Sequence, residues 1–330
     1  MPDGVDITFH LPDIDIPIQP CFNFEETNCI PTIYCPGMMK SGTTSLYYSL
    51  FNHPRVERSK IKETNFYTNS YYYDGIRSYI TNFSPEPSQY MLDSSPKYMM
   101  RPESAKLIYS VNPYAKFIVM MRDPVDRAYS HYYYIRRLFE SGTLDNSPKM
   151  INCPERVNIT FAQYLKEEYA VLQHCKMMPK VPEPDWMKET EDMPEECKSW
   201  TCAHKSNNPC EDCFPITDVH LSSQKYSGHI FYSLYASKIR YYLSYFPREN
   251  FLFVRFEDIL EQGEAYVMNN IADWLGLEQI PDEQWTQEVN QNAIEHDPLS
   301  EHIEQFLIEV FRDPNQELYE LLGQDYNWKR

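Results

Sequence analysis

The sequence predicts an α/β fold, a central parallel sheet flanked by helices, interrupted by a cysteine-rich insertion. Three observations lead there. Lys116 to Asp123 (KFIVMMRD) is a near-continuous apolar run, the pattern of a strand covered on both faces. That run, and the shorter Ile33-Tyr34-Cys35, each end in a tight turn that opens directly into a helical pattern. The 330 residues suit one α/β domain with insertions better than two independent domains. The expected layout is an extended segment over 1–30, a domain over 31–330 and an insertion over 141–221.

In chain order, Met1 to Pro20 reads as extended and punctuated by proline. Thr32 to Leu50 (TIYCPGMMKSGTTSLYYSL) then reads as strand, loop and helix start. Unpaired N–H groups at a helix start, with the positive end of its dipole, make an anion site. Lys40 adds a charge, Gly42 permits close backbone approach, and Ser41, Thr43 and Thr44 supply hydroxyls. The common phosphate loop places Lys after its second Gly. Here Lys40 precedes Gly42 by two residues, which disfavours an NTPase.

His53-Pro54 ends the first helix and Arg55-Val56 begins a short extended segment. In Lys60 to Tyr67 (KIKETNFY) a carboxylate lies among lysines and aromatics, either a tuned general base or a salt-bridged turn. Tyr71 to Phe83 reads as a half-buried helix or a stacking surface for sugar rings. Gln89 to Ser94 reads as a core strand, followed by Pro96-Lys97-Tyr98; Arg101-Pro102-Glu103 starts a helix reaching about Val111. After KFIVMMRD, Pro124 opens another helix. Arg122 at the strand end and Ser130 two turns on can converge on one phosphate, by a planar fork and a hydroxyl. Arg127 is either a third contact or a helix-face ion pair.

The insertion holds Cys153, Cys175, Cys197, Cys202, Cys210 and Cys213, with one good helix over Phe161 to Cys175. It reads as a segment stapled by disulfides; a zinc site of spacing C-x4-C-x7-C-x2-C is the rival. Cys21 and Cys29 can close a further small loop, and Cys35 reads as a buried free thiol. Tyr226 to Phe246 predicts a long helix, Asn250 to Asp258 a strand and Ile259 to Leu275 a helix.

The net charge of −18 is uneven: residues 31–140 carry 14 Lys and Arg against 9 Asp and Glu. A basic island in an acidic chain points to a local anionic ligand and away from a nucleic acid. No apolar run is long enough to span a bilayer. Nine cysteines and the sequons at Asn82 and Asn158 point to an oxidising secretory compartment, with any targeting segment or membrane anchor lying outside this sequence.

The order Gly37-x-x-Lys40-Ser41-Gly42-Thr43-Thr44 resembles the 5′-phosphosulfate loop of sulfotransferases, which use 3′-phosphoadenosine 5′-phosphosulfate (PAPS). Arg122-Asp123-Pro124-x-x-Arg127-x-x-Ser130 resembles their 3′-phosphate site, and Lys62-Glu63-x-x-Phe66-Tyr67 a segment of the Golgi carbohydrate branch. The resemblance implies a P-loop-like sulfotransferase fold. It implies Glu63 as base, with Lys62 and Lys40 at the chemistry. Lys40, Ser41, Gly42, Thr43, Thr44, Arg122 and Ser130 would hold PAPS, with PAP as product and no metal. The acceptor would be a glycan or glycosaminoglycan in the Golgi lumen. Arg58, Lys60, Lys97 and Arg101 are the candidates to border it.

The chain departs from the family in three places. Asn65 stands where many members have His, Ser94 where some have Lys, and no Lys or Arg occurs from Phe256 to Phe311, where a basic loop usually covers the nucleotide. Two rival classes are a P-loop kinase or NTPase, and a non-catalytic binding protein on the same scaffold.

Overall fold

A computed structural model of the chain describes residues 7–10, 19–23, 27–68, 75–83, 90–101, 103–141, 158–174, 177–192, 228–285 and 297–328. The described residues form two compact units. The first runs up to Arg122 and again from Lys238 to Trp285; the second takes Asp123 to Ser237 and Asp297 to Trp328.

Three short strands come first: β1 (Ile7–His10), β2 (Gln19–Asn23) and β3 (Thr27–Cys29). They pair antiparallel in that order, and the register sets Cys21 opposite Cys29. Cys29 is disulfide-bonded. The chain continues through β4 (Ile33–Tyr34), α1 (Thr43–Leu50), β5 (Val56–Arg58), α2 (Ile76–Ile80), β6 (Tyr90–Asp93), α3 (Glu103–Val111), β7 (Lys116–Met121) and α4 (Pro124–Glu140). There follow α5 (Phe161–His174), α6 (Asp185–Glu189), α7 (Tyr235–Leu243), β8 (Phe251–Arg255), α8 (Phe256–Glu261), α9 (Glu264–Leu275), α10 (Asp282–Trp285) and α11 (Glu301–Leu322).

In the first unit β4 to β8 make one parallel sheet in the order β5-β6-β4-β7-β8. This is the parallel sheet that the apolar runs predict. Five of the six β7 residues are buried, as a strand covered on both faces must be. Ile33, Leu92, Ile118 and Met120 pack with Leu46 and Leu50 of α1 and with Met268, Ile271 and Leu275 of α9. The α9 residues recur at helical spacing and so form one apolar stripe. From β4 the chain passes to one side of the sheet, and from β6 to the other. The carboxyl ends of β4 and β7 therefore flank a switch in strand order, where open α/β sheets bind ligands.

The second unit is helical. Ile303, Phe306, Leu307, Val310 and Phe311 form the inner stripe of α11, packed with Leu165, Tyr169 and Leu172 of α5 and with Val125 and Tyr132 of α4. Asp123 caps α4, its carboxylate accepting from Val125 N and Asp126 N, with Pro124 in the first turn. Thr160 and Gln163 form a reciprocal cap for α5: Thr160 N donates to Gln163 Oε1 and Gln163 N to Thr160 Oγ1.

Three expected elements are different. Tyr226 to Phe246 does not form one helix: a 3₁₀ turn at Phe231–Ser233 precedes α7. Tertiary partners hold this stretch open. Arg127 donates to the carbonyls of Gly228 and His229, and the Glu168 carboxylate accepts from the N–H groups of Ile230 and Phe231. The strand expected over Asn250 to Asp258 ends at Arg255, and α8 begins at Phe256 with Glu257 and Asp258 in its first turn, where the dipole favours carboxylates. The single helix expected over Ile259 to Leu275 is likewise divided: Gly263, at φ +93°, separates α8 from α9. The six insertion cysteines lie outside the described residues, while Cys35 is a buried free thiol.

Candidate active site

Between β4 and α1 the backbone keeps pairing with the sheet. Cys35 N donates to Asp93 O, Met38 N to Met120 O and Met120 N to Gly37 O, so the loop is fixed between β6 and β7. Lys40 and Gly42 then take left-handed conformations, φ +67° and +83°. Glycine is required at 42 for a second reason as well: a Cβ there would lie 2.6 Å from Cδ2 of the Phe256 ring. Gly42 caps α1, no side chain caps it, and no acidic residue occupies its first turn. The Ser41 hydroxyl is buried without a hydrogen-bond partner. A helix start left without a side-chain cap, beside a buried unpartnered hydroxyl and a lysine, fits a phosphate-like group. Thr43 is buried and Thr44 half-buried in the same turn.

Arg122, directly after β7, meets this loop. Its Nη1 donates to Lys40 O at 3.4 Å, and its guanidinium lies 4.8 Å from the centre of the Phe256 ring. Phe256 thus covers Gly42 and backs Arg122 together. Ser130 is half-buried on α4 in the second unit. Arg127 is wholly buried in that unit, bonded to Ser233 Oγ and the carbonyls of Gly228 and His229. Its burial takes it off the exposed face of the helix, and these bonds hold the 228–233 stretch.

The segment after β5 lies at the same carboxyl edge of the sheet. Lys62 Nζ and Glu63 Oε1 form an ion pair at 2.9 Å, with the Glu63 side chain 36% exposed. Glu63 and Asn65 are both left-handed, φ +60° and +52°, which is uncommon for residues with a side chain. Asn65 Nδ2 donates to Glu63 O at 2.8 Å, and the following Thr64 and Asn65 hydrogen-bond to Asp93 and Ser95. Burial pushes the Cys35 thiol up to about 12, against smaller opposing contributions that include the Lys62 charge.

The four residues expected to border an acceptor fall in two stretches, one closing β5 and one following β6. Arg58, closing β5, stacks 4.0 Å over the Phe51 ring and also meets Tyr47 and Tyr48. Lys60 is exposed and its Nζ donates to Thr81 O. Lys97 and Arg101 bracket the 3₁₀ turn Tyr98–Met100. Asn290 and Asn292, polar residues of the stretch that lacks Lys and Arg, lie outside the described residues. Among the described residues no group of three or more His, Cys, Asp or Glu is arranged to hold a metal.

Residues 32–302 match the family described as sulfotransferase domain. The chain belongs to the sulfotransferase family. Within it, the chain is 29% identical over 337 residues to the membrane-associated sulfotransferase kil1 of Dictyostelium discoideum, an alignment covering 91% of this chain and 67% of that protein. It is 22% identical over 307 residues to mouse carbohydrate sulfotransferase 15, covering 78% of this chain and 45% of that one. A sulfotransferase crystal structure from Alicyclobacillus acidocaldarius shares the fold, with TM-score 0.58 and 22% identity over 91% of this chain and 99% of that one.

Asp93, Ser95, Tyr98 and Phe256 are site residues that sequence reasoning passed over. One signal was available: an aspartate closing the apolar strand Tyr-Met-Leu-Asp, followed by two serines. Nothing comparable marked Phe256, whose part depends on β8 lying next to β7.

Proposed function

We propose that this sulfotransferase moves the sulfuryl group of PAPS to a hydroxyl or amine of a carbohydrate, a glycan or glycosaminoglycan, with Glu63 as base. The observation that carries the reading is the Lys40–Thr44 turn: a helix start with no side-chain cap, a buried unpartnered Ser41 hydroxyl, and Arg122 against the Lys40 carbonyl.

In this reading Lys40, the first-turn N–H groups of α1 and the Ser41, Thr43 and Thr44 hydroxyls bind the 5′-phosphosulfate, and Arg122 and Ser130 bind the 3′-phosphate. Glu63 accepts the proton of the acceptor hydroxyl or amine as its oxygen or nitrogen bonds to sulfur. The bond between sulfur and the bridging phosphate oxygen breaks, and the electron pair leaves with PAP. Lys40, Lys62 and the loop donors stabilise the charge that collects there, as preorganised electrostatic catalysis. No proton acceptor besides Glu63 is required. The carbohydrate acceptor is supported by the relative named for that substrate class. The half-buried Arg58 and the exposed Lys60 provide positive charge beside the 62–65 segment.

A luminal, secretory setting is supported by the disulfide-bonded Cys29, by the exposed Asn158 of one sequon and by a membrane-associated relative. Among the described residues no helix is long and apolar enough to cross a membrane.

Calorimetry with PAP and with magnesium ATP, beside Glu63→Gln turnover, tests the proposal. PAP binding with turnover reduced by about 10²–10⁴-fold in Glu63→Gln is expected. Preferential binding of ATP would replace the donor. Failure to bind PAP would make the chain a binding protein on this scaffold.

A further inference from the structure

Directly beneath the Glu63 segment lies a carboxylate that contacts no reacting group in the reading above. Asp93 closes β6 level with Tyr34 of β4, is wholly buried, and its carbonyl accepts from Cys35 N at the mouth of the loop. Its Oδ2 meets the hydroxyls of Thr64, Tyr79 and Tyr98 at 2.9, 2.7 and 2.8 Å, and its Oδ1 accepts from Ser95 Oγ at 2.7 Å. Ser95 Oγ in turn accepts from Asn65 N at 3.1 Å, and Thr64 Oγ1 lies 2.9 Å from the Tyr98 hydroxyl.

One side chain thereby ties down both residues that follow Glu63. Glu63 has a left-handed backbone that its side chain does not favour, and Asn65, of a type that tolerates that region, is left-handed beside it. A conformation of that kind persists only where the surroundings impose it, and here they do so through Thr64 and Asn65. We infer that Asp93 is the positioning residue that aims Glu63, acting through the hydroxyls of Thr64 and Ser95.

The choice of residue follows from the donors. Four hydroxyls converge on the group, and a carboxylate offers acceptors on both oxygens. An asparagine would turn an NH₂ group toward one set of hydroxyls and force them to reorient. Burial pushes the Asp93 carboxyl up, and the hydrogen bonds from Ser95, Tyr79, Tyr98 and Thr64 draw it back down. With Oδ2 taking three hydroxyls and Oδ1 one, the carboxylate is committed to holding the loop.

The inference rests on Glu63 being the base, and the test separates the two. Asp93→Asn, Thr64→Val, Thr64→Ser and Glu63→Gln are made in the full chain. Transfer from labelled PAPS to a pool of heparan and chondroitin chains is measured beside PAP calorimetry, and crystal structures are solved of wild type and Thr64→Val. Thr64→Val is expected to lower kcat at least tenfold, with the KM for PAPS and PAP affinity within about twofold of wild type. Thr64→Ser is expected to restore kcat to within about twofold, and Asp93→Asn to fall below Thr64→Val. Should Asp93→Asn fail to fold, the Thr64 pair carries the same test. In the Thr64→Val crystal, Glu63 is expected to leave its positive φ, a readout that needs no acceptor. Full activity in Thr64→Val beside a dead Glu63→Gln overturns the positioning role and leaves the base standing. An active Glu63→Gln removes the base itself. A Thr64→Val crystal with Glu63 unmoved also overturns the inference.

Discussion

Asp93 in the first unit and Glu168 in the second are both wholly buried carboxylates, yet they do different work. Asp93 is surrounded by side-chain hydroxyls, two of them tied to the residues after Glu63. Glu168 is satisfied by backbone N–H groups of Ile230 and Phe231 and lies in the field of Arg127. A carboxylate that gathers hydroxyls fixes the direction of a loop, whereas one that gathers backbone amides caps a chain reversal. The same desolvation cost thus serves positioning in one unit and architecture in the other.

That division can be broken most sharply at Arg127. Arg127→Ala leaves two carbonyls and Ser233 without their donor and Glu168 without its nearby charge. It is expected to cost about 3 kcal/mol of stability, seen as a lower denaturation midpoint. If Arg127→Ala abolished PAP binding while the melting profile stayed unchanged, the architectural reading of the second cluster would fail.

Gly42→Ala probes the opposite side of the comparison. The positive φ costs about 1 kcal/mol, and the new methyl must displace the Phe256 ring. PAP affinity is expected to fall about tenfold, or ~1.4 kcal/mol, with a smaller loss of stability than in Arg127→Ala. Unchanged PAP affinity in calorimetry would detach the loop from the nucleotide.

The smallest effect is on pH dependence, and its sign comes from the second cluster. Burial, and then the Arg127 charge, push His229 down to about 3, and burial pushes Glu168 up to about 6. His229 lies against His131, Nδ1 to Nδ1 at 3.1 Å. Below the usual histidine value the unfolded chain takes up a proton that folded His229 refuses, so stability is retained above about 6.5 and falls as the pH drops toward 3. Glu168 opposes this between about 6 and its ordinary 4.5, because the folded form binds its proton more readily. The histidine shift is the larger of the two, so the pair pulls the urea midpoint down between pH 7 and pH 5, against other raised carboxyls such as Asp93. His229→Gln is expected to reduce this loss on acidification and Glu168→Gln to increase it; a His229→Gln protein with the pH dependence of wild type would contradict the assignment.

Much of the fold was legible in the residues. KFIVMMRD read as a covered strand and Asp123-Pro124 marked a helix start, because each of these is a local pattern with a local cause. The expected helix over Tyr226 to Phe246 failed for the converse reason. Its periodicity was intact, but Glu168 and Arg127, more than fifty positions away, claimed the backbone groups that a helix would have used. Phe256 over Gly42, and Asp93 beneath Thr64, likewise join residues that no spacing rule connects. Residue order therefore determined which groups exist and which short elements they form. The parallel sheet decided which of them meet, because strand neighbours are chosen by packing across the whole chain and not by proximity along it.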